Sequence, residues 1–336
     1  MRPFRIQPDL RPRVWGGTRL TPTGAAPVGE AWLAGPGSNV IGGPDPGTTL
    51  EQLAAAHGSR LIGSDATVAG HFPLLAKIID PADWLSVQVH PDDDHARNLE
   101  GPDAVGKTEA WYVIEAAAGA EILLGVKPAV RPETVREAIR EGGLADLLQR
   151  HAVAAGEAYL VPAGTLHAIG PGVLVYEIQQ PSDITYRCDD WGRPPSAGRP
   201  LHVEQSLACV RPTTWPGPVR SSAGPARRGL LVTCEHFVVE YLRPHAEAPL
   251  PCDPGLASVH LLTAVTAPAD VHATGWEERL EPFETLVVPA DAGGYLVAAP
   301  PGAAWSAPAP TVLLARLPAQ GEREVALERG AHADAA

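Results

Sequence analysis

"SVQVHPDD", residues 86–93, alternates two valines with three polar groups. In an extended strand successive side chains point to opposite faces, so Ser86, Gln88 and His90 share one face and Val87 and Val89 the other. A strand with one apolar face and a glutamine and histidine on its second face lines either a solvent-washed surface or a polar pocket. The choice rests on the rest of the chain.

The chain has 336 residues and is 45% hydrophobic, enough to give two ordinary domains proper cores. Gly 34 and Pro 36 make up about a fifth of the residues, which favours short strands joined by turns over long helices. The net charge of −13 argues against a nucleic-acid partner and favours solubility. No stretch approaches the roughly 20 apolar residues of a membrane span. The N-terminal "MRPFRIQPDLRPRVW" lacks the apolar centre of a signal peptide. Cys188, Cys209, Cys234 and Cys252 are widely spaced, with no Cys-x-x-Cys pair, so neither a zinc knuckle nor a disulfide framework is indicated. A reduced, cytoplasmic protein, monomer or homodimer, without membrane or nucleic-acid partner fits these features.

Strand-length apolar runs bounded by Gly, Pro or Asp dominate: "FPLLAKIID" (72–80), "WLSVQVH" (84–90), "TEAWYVIEA" (108–116), "AEILLGV" (120–126), "EAYLVPA" (157–163) and "GVLVYEIQQ" (172–180). "RPETVREAIREGGLADLLQR" (131–150) departs from this pattern. Val135, Ile139, Leu144, Leu147 and Leu148 follow helical spacing, broken at Gly142-Gly143, which predicts two short helices inserted between strands. Residues 49–60 also read as helical. The Pro/Gly/Ser-rich 211–229 reads as a linker, after which strand signals return. "GEAYLVPAGTLHAI" (156–169) runs parallel to "FETLVVPADAGGYLV" (283–297), suggesting two β-barrels of one type. The second has Gly294 and Tyr295 where the first has His167. The expected organisation is therefore mainly β: a catalytic barrel over 1–215 with the helical insertion near 131–150, a second barrel without metal over 225–317, and a poorly ordered tail over 318–336.

Four groups stand out as a candidate site: Gln88 and His90, Glu109 in "GKTEAWYV", and His167 in "PAGTLHAIG". A barrel returns successive strands to one interior, so long separations are no obstacle. Two imidazoles, a carboxylate and an amide oxygen form a nitrogen/oxygen set suited to zinc or a similar divalent ion. With no thiolate and open positions left, such a site is catalytic in character. Each histidine taken singly is more often a hydrogen-bonded core or surface residue; the four together, each near a proline or glycine turn, favour a metal.

"FPLLAKIIDPADWLSVQVHPDD", "GKTEAWYVIE", "YLVPAGTLHAIGPGVLVYEIQQPSDITYR" and "VWGGTRL" together resemble type I mannose-6-phosphate isomerase, a cupin-fold zinc enzyme. The resemblance extends from about residue 10 to 205, and the C-terminal half is compatible with a second cupin. It implies one zinc per chain held by Gln88, His90, Glu109 and His167, reversible conversion of mannose 6-phosphate to fructose 6-phosphate, and Arg187 in "TYRCDDWGR" as the active-site arginine. Two positions depart from the family: Ala31 stands where serine is frequent, and Ile169 where some relatives have tyrosine.

The residues support that chemistry. Aldose–ketose isomerisation removes a proton beside a carbonyl and stabilises the developing enediolate, for which a Lewis-acidic metal and a positioned base suffice. Lys107 lies two residues before Glu109, on the same face of an extended chain, and a nearby divalent cation would lower its pKa. Glu177, amid the apolar "GVLVYEIQQ", needs a task as a base or a salt-bridge partner. Arg187 offers a rigid fork of donors to an oxyanion or a substrate oxygen. Lys77, Ser86, Asp183 and Arg193 are expected near the substrate or its phosphate, and Trp15 either walls the sugar or packs in the core. An iron-dependent cupin dioxygenase is the rival enzyme class, disfavoured by Gln88 as a ligand and by Lys107 beside the site. A non-catalytic sugar-binding cupin is the other alternative.

Overall fold

The computed structural model describes all residues except 23, 44, 68, 194–198, 212–218, 221–225, 302–309 and 327–336. The chain divides into two compact units, one formed by Leu10–Ala31 and Ile78–Val219, the other by Met1–Asp9, Trp32–Lys77 and Arg220–Ala336. This differs from a division near 215–225, because the first 77 residues are shared out between the units. Strand pairing gives the reason: Phe4–Ile6 forms an antiparallel ladder with Thr285–Val288, Phe4 opposite Val287, which commits the N-terminus to the C-terminal unit.

In the unit containing residues 78–219, Glu109–Ala116 is flanked by Glu157–Val161 and Val173–Gln179, both antiparallel to it. A second sheet has the order Tyr186–Asp189, Val87–Val89, His167–Ile169, Glu121–Val126, Leu148–Ala152. The alternation in 86–90 now has its explanation. Val87 and Val89, with Ala168, Tyr186 and Cys188, pack against helical residues Val135, Ile139, Leu144, Leu207 and Cys209. The opposite face of the same sheet, with Ile122, Leu124 and Ile169, packs on Trp111, Val113, Tyr159, Val161, Val173 and Val175. Gln88 and His167 point with this second set, towards the space enclosed by the two sheets.

The insertion forms helices Pro132–Glu141 and Leu144–Leu147. Proline at the first helical position costs no hydrogen bond, Val135 and Ile139 are buried one turn apart, and Gly142 at φ 101° ends the helix where a side chain would be strained. The expected second helix stops early. Leu148–Ala152 is instead a strand paired with Glu121–Val126, because the ladder satisfies its backbone and buries Leu148. Helix Asp93–Glu100 starts at the N-cap Asp92, whose carboxylate accepts the His95 N–H at 2.9 Å, and carries Asp93 and Asp94 in its first turn.

The other unit has a seven-stranded sheet ordered Arg228–Thr233, Val238–Leu242, Val312–Arg316, His260–Ala264, Thr285–Val288, Phe4–Ile6, Val40–Ile41, and a four-stranded sheet ordered Leu250–Cys252, Tyr295–Ala298, Ala269–Ala273, Trp276–Leu280. Leu242, Leu262, Val271, Leu286, Val297 and Leu314 fill its core. The helix expected over 49–60 is present as Leu50–His57, opened by a Thr49–Gln52 capping box, and Ser59–Ile62 beyond Gly58. Most of the expected linker, 212–218 and 221–225, lies outside the described residues, as does the tail from 327; residues 320–326 are helical.

The two units share a strand register. Val161 of "LVPA" sits opposite Glu109, and Val288 of "VVPA" sits opposite His260. His167 sits opposite Gln88, and Tyr295 opposite Cys252. His260, Tyr295 and Cys252 thus occupy the positions that Glu109, His167 and Gln88 hold in the other unit. There the His260 imidazole Nδ1 meets the Tyr295 hydroxyl at 2.8 Å.

Candidate metal centre and active site

The central row of the five-stranded sheet runs from His167 through Gln88 to Arg187, each directly opposite the next, and residues so paired in antiparallel strands point to the same face. His90 leaves the end of its strand at Pro91, and its carbonyl accepts the Gly164 N–H at 2.8 Å. Glu109 opens the facing strand opposite Val161 and Gln179. Residues 19 and 58 positions apart therefore converge. One ligand-capable atom from each of His90, Glu109 and His167 lies within 4.8 Å of the others, all three side chains are buried, and the imidazole centroids are 4.8 Å apart.

The hydrogen bonds fix what the imidazoles can do. His90 donates from Nδ1 to the Ile184 carbonyl and His167 from Nδ1 to the Thr165 carbonyl, each at 2.9 Å. A carbonyl only accepts, so Nδ1 carries the proton in both rings. Burial, and then the Lys107 charge, push His90 down to about 3, and burial likewise lowers His167. Both rings are neutral near pH 7, and each aims its Nε2 lone pair towards the Glu109 carboxylate, at 3.4 Å for His90 and 3.3 Å for His167. These contacts are therefore not ion pairs. Burial favours a protonated Glu109, but the Lys107 charge holds it well below the usual carboxylate range. Neither carboxylate oxygen accepts a hydrogen bond of good geometry, although the Lys107 amine stands 3.0 Å from Oε2 in ion-pair contact.

Two neutral imidazoles and a carboxylate that converge in this way form a donor set for a cation, and in the structure the Lys107 ammonium stands against His90 Nε2 and Glu109 Oε2. Second-sphere carbonyls that fix the tautomer of each imidazole are the usual support of metal-bound histidine. The residues present fit a divalent ion. Gln88 adjoins them, its side-chain amide 3.2 Å from His167 Nε2; reversing that amide presents its oxygen to the same place.

Around this centre the Lys107 amine donates to His90 Nε2 at 3.1 Å and is buried. Burial alone would lower its pKa, but Glu109 and then Glu177 outweigh burial and raise it. Among the protein groups alone, the balance thus runs opposite to the depression expected beside a divalent cation. The Trp111 indole donates to Glu177 Oε2 at 3.0 Å, so an indole helps hold the buried Glu177. The same indole packs edge-on against His167, centroids 5.4 Å apart.

Arg187 donates to the Pro200 carbonyl at 3.0 Å, while its buried Nε has no hydrogen-bond partner among the described residues. Its backbone is pinned twice by His202, donating to Nδ1 at 3.1 Å and accepting the His202 N–H at 2.8 Å. Arg193 is engaged by Asp190 at 2.9 Å, Asp83 at 2.6 Å and the Trp84 carbonyl at 2.7 Å. Arg199, which sequence reading missed, reaches Asp190 at 3.3 Å. Burial first, and then the neighbouring Arg187, push its pKa down.

The remaining candidates are placed as follows. Ser86 is buried, and Asp183 stands 3.8 Å from Arg11 with most of its side chain in solvent. Trp15 is 4% exposed and packs with Ile79, Leu85 and Trp111. Lys77 falls in the other unit, its ammonium 4.8 Å from the centre of the Trp32 ring. Trp111 was legible as a site residue, since it lies two residues after Glu109 on one strand face; Arg199 carried no periodic signal.

Comparison with known proteins agrees with this centre. The model of the phosphomannose isomerase type I catalytic domain matches residues 4–109. A mannose-6-phosphate isomerase of Streptococcus mutans is 42% identical over 216 residues, 61% of this chain and 66% of that protein. The probable mannose-6-phosphate isomerase GmuF of Bacillus subtilis is 39% identical over 219 residues, 62% of this chain and 68% of that protein. The matches thus span about two thirds of these relatives' length. The crystal structure of the mannose 6-phosphate isomerase from Bacillus subtilis superposes with a TM-score of 0.81 at 27% identity, over 94% of this chain and 99% of that one. The mainly β, cupin-type architecture accords with those structures. On these grounds the chain belongs to the type I phosphomannose isomerase family of isomerases.

Proposed function

We propose that this isomerase interconverts mannose 6-phosphate and fructose 6-phosphate, with one zinc ion bound by His90, Glu109, His167 and Gln88. The observation that carries the reading is the convergence of two neutral imidazoles, their Nδ1 protons fixed by backbone carbonyls, with Nε2 aimed at the buried Glu109 carboxylate. Three protein ligands and an amide leave room for a sugar oxygen, the arrangement of catalytic rather than structural zinc. When bound, zinc supplies Lewis-acid stabilisation of negative charge on the sugar oxygens.

The protein groups do the rest. Lys107 carries a proton on Nζ beside the ligands and is placed to exchange it with a sugar oxygen. Glu177, oriented by the Trp111 indole, is the carboxylate available to take the proton from the carbon next to the carbonyl and return it to the neighbouring carbon. Arg187, in the row with Gln88 and His167, directs its guanidinium to the oxyanion that forms as that proton leaves. Arg193 and Arg199, sharing Asp190 Oδ1, are the guanidinium groups offered to a phosphate. Ser86 and Asp183 remain candidate sugar contacts.

None of the described helices is long and apolar enough to cross a membrane. All four cysteines are unpaired and buried, in keeping with a reducing, cytoplasmic setting.

The test is an assay coupled to fructose 6-phosphate formation, run after chelation and again with zinc restored, together with a reaction in heavy water. Activity lost on chelation and regained with zinc, with solvent deuterium entering the product, is the expected result. Full activity in metal-free protein overturns the zinc reading. Complete retention of the substrate hydrogen overturns a solvent-accessible base.

A further inference from the structure

Lys107 is held by a segment with no regular secondary structure, residues 101–108, between helix Asp93–Glu100 and the strand that begins at Glu109. A long side chain on irregular backbone is poorly placed for catalysis unless something fixes that backbone. Here three consecutive amides are anchored. The Gly106 N–H donates to Asp93 Oδ1 at 2.7 Å, the Lys107 N–H to the Pro91 carbonyl at 2.9 Å, and the Thr108 N–H to the Gln180 side-chain oxygen at 2.9 Å.

The anchors are themselves joined. Gln180 donates its side-chain amide to the same Asp93 Oδ1 at 3.0 Å, and its backbone N–H to the Thr108 carbonyl at 3.2 Å. The Thr108 hydroxyl accepts the Ala163 N–H at 3.2 Å, tying in the turn that leads to His167. Gly106 lies so close to the turn that a Cβ would come within 2.6 Å of the Asp92 carbonyl carbon and the Asp93 nitrogen, so only glycine permits the approach. Gln180 is 4% exposed, and a buried side-chain amide is costly unless its hydrogen bonds are made, as they are here.

We infer that Asp93 and Gln180 are positioning residues: they clamp the backbone on both sides of Lys107 and so hold its amine 3.0 Å from Glu109 and 3.1 Å from His90. The inference rests on the role given above to Lys107. Neither residue touches the candidate ligand atoms or the reacting carbons; both act through the lysine. A misplacement of about 1 Å in a catalytic group costs on the order of 10²-fold in rate.

The test uses the full-length, zinc-loaded enzyme with Gln180→Leu, Asp93→Ala and Asp93→Asn, measuring kcat, KM and zinc content, and crystal structures of Gln180→Leu and Asp93→Ala. Gln180→Leu and Asp93→Ala should lower kcat by roughly 10- to 100-fold, with KM within a few-fold of wild type and one zinc retained. Asp93→Asn keeps an oxygen for both donors and should recover most of the loss. In the crystal structures of Gln180→Leu and Asp93→Ala the Lys107 amine should leave its wild-type position. An unchanged kcat, an Asp93→Asn as impaired as Asp93→Ala, or a Lys107 amine still in place overturns the clamp. Lys107→Ala in parallel separates the two readings: full activity there removes the role of Lys107, whereas the crystal structures judge the clamp whatever that result.

Discussion

Replacing Glu109 with glutamine separates the two roles proposed for its carboxylate, metal ligand and counter-charge to Lys107. Glu109 is fully buried, and its Oε2 stands 3.0 Å from the Lys107 amine, which is 4% exposed. Glu109→Gln leaves that ammonium buried without its counter-charge, and breaking a buried pair from one side costs about 3–5 kcal/mol. The metal-free variant should lose that much stability. Lys107→Met/Glu109→Gln removes both charges with little change in volume, so its metal-free stability should return to within about 2 kcal/mol of wild type. Zinc behaves differently. At a free concentration near 100 times the wild-type Kd it should stabilise the wild type by about 2.7 kcal/mol and neither variant appreciably, because both lack the anionic ligand. Guanidinium denaturation followed by tryptophan fluorescence, with chelator and then with buffered zinc, measures all six values. A chelated Glu109→Gln as stable as chelated wild type refutes the buried-pair argument. A double variant stabilised by zinc as strongly as wild type refutes Glu109 as a ligand.

Arg187→Lys keeps the charge but loses the fork, and should lower kcat by ~10²–10³ with zinc content unchanged; steady-state kinetics beside metal analysis checks it, and an unchanged kcat excludes the oxyanion role. In the C-terminal unit His260, Tyr295 and Cys252 replace the acid, imidazole and amide of the metal set, so metal analysis should find one tight ion per chain, and two equally tight ions would contradict the register comparison. Burial first, and then Arg316, push His260 down to about 4, below its unfolded value near 6.5. The unfolded chain therefore binds the proton first as pH falls, and the stability that a neutral His260 confers above 6.5 is lost progressively towards 4. Between pH 8 and 5 that loss is about 2 kcal/mol, and His260→Asn should lack it in denaturation curves at the two pH values; equal pH dependence in both proteins would show that His260 does not titrate as described.

Much of the site was legible because its parts follow strand periodicity. Gln88 and His90 alternate with buried valines, and Lys107, Glu109 and Trp111 alternate along a single stretch. A period of two states which side chains share a face before any tertiary contact is known. The "VPA" repeat likewise announced a second barrel-like sheet pair with tyrosine in place of His167. Local chemistry also stopped the insertion helix at Gly142, where φ is 101°.

What escaped the sequence depends on pairings between distant strands. Leu148 fits the helical spacing of 131–150 but opens a strand, because Glu121–Val126 offers Leu148–Ala152 a ladder. Phe4–Ile6 joins Thr285–Val288 across most of the chain, so the division between units follows that register and not the linker composition. Lys77 and Trp15 were read from their chemistry alone, and only the tertiary structure sets Lys77 against the Trp32 ring and packs Trp15 with Ile79, Leu85 and Trp111. The clamp on Lys107 joins residues 72 and 87 positions apart through single hydrogen bonds. The residue types and their faces are thus properties of the sequence, fixed by stereochemistry over a few residues. Which faces meet, and at what distance, is decided only when the sheets close, because hydrogen-bond register between remote strands is a property of the folded whole.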